Sequence, residues 1–241
     1  NTYEIPITLT DYQLREAFQS ASQFGSFIAA IENRIRVKQT LCNDGLIMAT
    51  IDNLIGETLS GHGGKVVNLL SLYNGASGTL TAAEALTNKE FLRFASATIA
   101  KYKKYVAQAS AKYNAGNYIT FTPADKLKFV ANTEFAKALD AYLYSDTFNE
   151  EFVKLDGYSE VPFWQGSGTA DGDRLTVDVV VSYTTDQGAN ATASVKNTGV
   201  LAVMFDDEAA AVCNENYRTT SIYNPRGEYT NYFYKYDAMF M

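Results

Sequence analysis

With 241 residues, 46% hydrophobic and 20% charged, the chain can bury a sizeable core and is not a disordered acidic tail. A net charge of −7 and a pI near 4.8 disfavour broad phosphate-backbone binding and leave only a local basic patch for that task. Cys42 and Cys213 stand far apart, read as buried thiols, and signal neither a disulfide framework nor a zinc site; no apolar run of 18 residues announces a membrane helix, and no signal peptide is visible.

The start, "NTYEIPITL", alternates as a strand with Pro6 near an edge. Thr10 and Gln13 have capping-box spacing and open a long helix to about Val37. Its apolar stripe is Leu14, Phe18, Ala21, Phe24, Ile28, Ile31 and Ile35. A second helix is expected over 44–59, ended by "SGHGG". "KVVNLLSLY" reads as a strand and "NGASG" as a flexible turn. A third helix starts at Thr81 or Thr87, carries Phe91, Phe94, Ala95, Ile99, Tyr102, Val106 and Tyr113, and stops near Gly116.

Beyond Gly116 the elements shorten. "KLKFVA" is a strand leading into the helix "TEFAKALDAYL", "TFNEEFV" is a short helix, and "EVPFWQGSGTADGD" is a loop. "RLTVDVVVSY" is a strand, "ATASVKNTG" a connection and "GVLAVMFD" an apolar strand. The last stretch, "SIYNPRGEYTNYFYKY", places two tyrosine-rich strands around "NPRG". Pro225 presets the first turn angle and Gly227 takes the last position, where a positive φ would strain a branched side chain. Tyr232, Tyr234 and Tyr236 share one face, with Tyr229 and Phe233 on the other. The class is α+β. The first residue, Asn1, and the apolar end "YDAMFM" read as a piece trimmed at both ends.

No catalytic constellation emerges. His62, the only histidine, lies two residues from Ser60 among glycines, without a nucleophile motif, and reads as a turn residue. "GHGGK" ends in Lys65 followed by Val66, so it is not a phosphate loop. Asp206, Asp207 and Glu208, with Asp171 and Asp173, are the candidate carboxylates. The first group could do acid–base or metal chemistry but is read mainly as capping a helix over "EAAAV", and the second falls short of a calcium loop. Lys101, Lys103, Lys104 and Lys112 alternate with tyrosines; that pattern suits single-stranded nucleic acid, but a solvated helix face explains it more simply.

The stretch "YNPRGEYTNYFYKYDAMF" resembles the strand and turn near the C-terminal end of tailed-phage major capsid proteins, in particular the phi-twenty-nine-like podovirus group. "TDYQLREAFQSASQFGSFIAAIENRI" is similar to the spine helix of that group and "LTNKEFLRFASATIAKY" to its second long helix. "KLKFVANTEFAKALDAY" resembles the strand-then-helix step of the A domain, and "GVLAVMFDDEA" the strand before the return to the P domain. The resemblance implies an HK-ninety-seven-like capsid fold, with P-domain parts at 1–116 and 215–241 and an A domain at 117–214. It implies a non-enzymatic head subunit of the virion, made in the host bacterial cytoplasm. Its implied partners are its own copies in hexamers and pentamers, scaffolding and portal proteins, and double-stranded DNA held non-specifically, with no cofactor, metal, site residue or membrane. The N-terminal arm and E-loop of the family are not matched, so this piece alone is expected to stay a monomer or small oligomer. Two alternatives stay open: an encapsulin-type compartment shell, and a hydrolytic enzyme using Asp206 and Asp207.

Overall fold

The computed structural model describes residues 2–17, 21–61, 64–113, 118–142, 157–164, 174–184 and 189–240. In chain order the elements are β1 (Thr2–Thr10), α1 (Asp11–Ala17), α2 (Ala21–Leu59), α3 (Leu69–Ser77), α4 (Ala82–Ala85), α5 (Lys89–Val106), β2 (Leu127–Asn132), α6 (Thr133–Tyr142), β3 (Ser159–Val161), β4 (Val177–Thr184), β5 (Asn190–Asn197), β6 (Ala202–Asp206), β7 (Val212–Asn224) and β8 (Tyr229–Phe240). They fall into two compact units: Asn1–Thr50 with Ala211–Met241, and Ile51–Ala210.

The first unit holds an antiparallel sheet of order β1-β8-β7. β1 is an edge strand, so Pro6, which cannot donate to a ladder, sits opposite Phe233 at little cost. The capping box that opens α1 is reciprocal: Gln13 N donates to Thr10 Oγ1 and Thr10 N donates to Gln13 Oε1, both at 3.3 Å. The helix expected over 11–37 is seen as α1 and the start of α2, on either side of residues 18–20, which lie outside the described residues.

The separate helix expected over 44–59 does not exist. Residues 21–59 form one helix of 39 residues, about 58 Å at 1.5 Å per residue. The reason is local: "KQTLCN" at 38–43 contains neither glycine nor proline. Asn43 does not cap a new helix but accepts a hydrogen bond from Asn214 (2.8 Å). The hydroxyls of Thr40, Thr50 and Thr58 return to carbonyls one turn back, at 2.8–3.0 Å, so they do not compete with the helix. Of the expected stripe, Ile35 reaches the core, Leu14, Phe24 and Ile31 are half-buried and Ile28 is exposed. Ile35 and Leu46 lie against Ile5, Tyr236 and Ala238 of the sheet.

The second unit is built on Phe91, Leu92, Ala95 and Ile99 of α5, Phe129 and Ala131 of β2, and Phe135 and Leu139 of α6. Its sheet has the order β3-β2-β6, with β2 parallel to β3 and antiparallel to β6. β4 and β5 form a separate antiparallel hairpin. Val179 and Val181 of β4 press on α2 at Gly56, where a Cβ would lie 2.6–2.7 Å from their methyl carbons.

Several expectations fail here for identifiable reasons. "KVVNLLSLY" is not a strand: Asn68 accepts from Ser71 N (2.8 Å) and starts α3, which turns Leu69, Leu70 and Tyr73 to the core. "NGAS" continues that helix and is no flexible turn. The third long helix is two: a capping box of Thr81 and Glu84 opens α4, then Asn88, not Thr87, caps α5 through Phe91 N (2.9 Å). α5 ends at Val106, not near Gly116, because the backbone folds back and pairs Ser110 with Thr120. "ATASVKNTG" is no mere connection but largely β5, in which half-buried Ala191, Ala193 and Val195 alternate with exposed Thr192, Ser194 and Lys196. Glu160 and Val161 belong to β3 and not to a loop. No helix follows Asp207; residues 207–210 are turns and bends leading into β7. The helix expected over 147–153 lies outside the described residues.

Two glycines of α2 give a paired test. Around Gly25 a Cβ meets nothing within 4 Å, so Gly25→Ala raises stability by about 0.5–1 kcal/mol through helix propensity. Gly56→Ala lowers it by about 1–3 kcal/mol because the added methyl displaces Val179 and Val181. Chemical denaturation of the two variants beside the parent measures both signs.

Candidate functional site

The tyrosine-rich end of the chain forms the expected hairpin, with Asn224 opposite Tyr229 as the last pair. Its turn is closed by one side chain. Asn224 Oδ1 accepts from Arg226 N (3.0 Å) and Gly227 N (3.3 Å), while Asn224 Nδ2 donates to the Tyr229 hydroxyl (2.8 Å). The positive φ falls on Glu228 (47°), not on Gly227. Glycine is required at 227 for a different reason: a Cβ there would run into the Tyr229 ring that Asn224 holds. The turn also meets the start of α1. Asp11 N donates to the Glu228 carbonyl (2.9 Å), and the Tyr223 hydroxyl donates to Asp11 Oδ2 (3.1 Å).

Tyr232, Tyr234 and Tyr236 share a face as the alternation implies, and the register sets Tyr234 opposite Ile5 and Tyr236 opposite Tyr3. Tyr236 is almost wholly buried, at 1% exposure, and its ring lies between two others across the sheet. Tyr3 is 5.5 Å away at 18° and Tyr217 is 5.9 Å away at 22°. Burial, with the Cys42 thiol beside the hydroxyl, pushes the phenol up to about 12. Cys42 is half-buried, whereas Cys213 is exposed on the outer strand β7, which corrects the expectation of two buried thiols.

A second node lies lower in the sheet. The β7–β8 register slips between Glu215 and Arg218, and Asn216 takes a positive φ of 54°. Arg218 reaches both oxygens of Asp237 (2.9 and 3.1 Å), which also accept from Thr2 Oγ1 (2.7 Å) and Asn216 Nδ2 (3.2 Å). One carboxylate thus joins all three strands. These hydrogen bonds, from Arg218 above all, hold the Asp237 carboxyl well below the usual range. The sequence carried no periodic signal for this node, since its members are 216, 218, 237 and 2.

Among the described residues, the chemical candidates are tied into local turns and surface contacts. Asp206 Oδ1 accepts from Glu208 N (3.0 Å), Asp207 N donates to the Lys126 carbonyl (3.0 Å), and Lys126 ion-pairs with Glu208. These acids close the turn after β6. The Glu208 amide, with Thr122, lowers the Asp206 carboxyl, the opposite of what a general acid needs. The Ser60 hydroxyl donates to the Glu57 carbonyl (2.8 Å), and Lys65 is exposed. His62, Asp171 and Asp173 lie outside the described residues. Among the described residues no group of three potential metal ligands occurs. Lys103 is half-buried 4.6 Å over the Phe129 ring, while Lys101, Lys104 and Lys112 are exposed.

Beside these groups, the sheet presents an outer surface. Ile222, Tyr223, Met239 and Phe240 are exposed on β7 and β8. Comparison with known proteins gives these surfaces a context. The sequence model of the family described as Phi29-like phage major capsid protein matches residues 1–241. The major capsid protein of Bacillus phage B103 is 26% identical over 227 residues, which are 94% of this chain but 40% of that protein's length. In the capsid structure of Staphylococcus phage Andhra, one chain superposes with a TM-score of 0.59 at 11% identity, covering 100% of this chain and 67% of the other. The α+β, HK-ninety-seven-like capsid fold is thus borne out.

The Asp237 node generates a pH prediction. Its folded-state pKa is depressed, so its stabilisation is fully present above the unfolded value of about 3.9 and is lost as pH falls below it toward the folded value. Asp237→Asn lowers the melting temperature at pH 7, and the gap to the parent narrows below about pH 4. Thermal melts of both proteins from pH 2.5 to 8 measure it; a gap independent of pH contradicts the role of the charge.

Proposed function

We propose, because this chain belongs to the Phi29-like phage major capsid protein family, that the protein carrying it is the structural subunit of an icosahedral or prolate phage head. The observation that carries this reading is the family match along the whole length of the chain, residues 1–241. In the virion it would pack against its own copies in hexamers and pentamers and enclose double-stranded DNA without reading its sequence. Scaffolding and portal proteins would guide assembly in the host cytoplasm. The role is non-enzymatic. The P-domain and A-domain labels for 1–116 with 215–241 and for 117–214 are part of the same proposal.

The physics of the first unit supports such a role. A closed shell needs each subunit to hold its contact angles, because a heterologous contact that fails to close makes open filaments. A long helix laid on a sheet through Ile35 and Leu46, with the strands tied by Asp237, is a stiff element of that kind. The acidic balance, −7 overall, suits non-specific enclosure of DNA better than tight phosphate contact.

The full-length protein, produced with its scaffolding protein, is expected to sediment as large regular particles visible by electron microscopy. The 241-residue chain alone is expected to stay at monomer or small-oligomer mass at micromolar concentration. Full-length protein that remains monomeric under all assembly conditions contradicts the reading.

A further inference from the structure

The end of α5 and the loop after it carry an apolar surface with an unusual charge. Tyr118, Ile119 and Phe121 are 75%, 80% and 57% exposed, and Tyr105 on α5 is 42% exposed. Large apolar side chains this open on one short stretch mark a contact surface. The loop's described ends are tied to one another and to α5. Ser110 and Thr120 exchange two backbone hydrogen bonds (2.9 and 3.2 Å), and Thr122 N donates to the Val106 carbonyl (3.1 Å). Beside it Tyr102 and Tyr105 of α5 pack with Tyr113, ring on ring, at 5.9–6.5 Å. The side chains at 118–121 are therefore presented on a braced support.

Residues 101–121 hold four lysines, Lys101, Lys103, Lys104 and Lys112, and no acid, on a chain of net charge −7. An exposed apolar stretch within a lysine-rich, acid-free segment fits an acidic partner. Nucleic acid fits less well. Tyr102, Tyr105 and Tyr113 face one another, Lys103 lies over Phe129, and Ile119, the most exposed of the group, has no face on which a base can stack. The acidic protein surface that a shell subunit meets at the highest local concentration is another copy of itself, since the rest of this chain carries all of its negative excess. We infer that the segment Tyr118–Phe121, with the exposed Lys101, Lys104 and Lys112 of the same stretch of chain, docks on an acidic surface of a second copy and is a contact between subunits of the shell. This rests on the reading of the protein as a shell subunit and names one of its contacts.

The test uses full-length protein with a photoreactive benzophenone amino acid at position 119, irradiated after assembly. The expected product has twice the subunit mass, and its cross-linked peptide maps to an acidic stretch of the second copy. A product that nuclease digestion removes, or no product from well-formed particles, overturns the inference while the shell reading stands. Failure of the unsubstituted protein to assemble defeats the shell reading first. An independent readout is Ile119→Asp with Phe121→Asp, which should cut particle yield about tenfold or more, with the melting temperature of unassembled subunits unchanged because both sites are exposed. Unchanged yield, like the missing cross-link, counts against the loop.

Discussion

The first unit depends on one strand being held from three directions. β8 pairs with β1 on one side and β7 on the other, and α2 covers its inner face. Tyr236 is where these constraints meet. Its ring is flanked by Tyr3 and Tyr217 and closed over from the α2 side, where Cys42 stands beside its hydroxyl. A large planar ring buries more apolar area than an aliphatic residue at the same site, and stacked neighbours restrict it to one orientation. At the next position, Asp237 gathers Thr2, Asn216 and Arg218 with charge-assisted hydrogen bonds. Packing on one face and a polar clasp at adjacent residues fix the register of three strands drawn from opposite ends of the chain.

Register matters because a slip of one residue would move every alternate side chain to the wrong face. The hairpin guards against a slip at both ends. Asn224 and Tyr229 lock the turn, and the bulge at 215–218 sets the far end. The link from Asp11 to Glu228 and Tyr223 then ties the start of α1 to the same turn. With residues 2–10 and 212–240 held in one sheet, that sheet's outward residues keep fixed positions.

Much of this was legible in the sequence where the signal is local. The Thr10 and Thr81 capping boxes, the N-P-R-G hairpin and the alternating tyrosines all lie within a few residues of one another. The misreadings have a common cause, a weak local pattern decided by tertiary partners. "KVVNLLSLY" has an apolar run without alternation, and the Asn68 cap decides it for helix. β5 alternates, but with alanine and threonine in place of larger residues. Asp44 looks like a helix start, yet nothing before it stops α2. Glycine at 227 was legible as a need, but the need comes from the Tyr229 ring and not from backbone φ. Of the contact surfaces, the lysines and tyrosines after Ile99 were visible as a pattern; that the chain folds back and lifts Ile119 and Phe121 into solvent depends on the Ser110–Thr120 pairing, for which the sequence has no signal.

The claim that the buried Tyr236 ring organises the first unit is tested by comparing Tyr236→Phe and Tyr236→Ala in equilibrium denaturation. The buried hydroxyl makes no hydrogen bond among the described residues, with only the Cys42 thiol beside it, so removing it should change stability by less than about 1 kcal/mol. Removing the ring should cost about 3–5 kcal/mol, as for other large buried aromatics. A phenylalanine variant as unstable as the alanine one would show that the hydroxyl, not ring packing, holds the sheet. An alanine variant within about 1 kcal/mol of the parent would show that the sheet does not depend on Tyr236 at all.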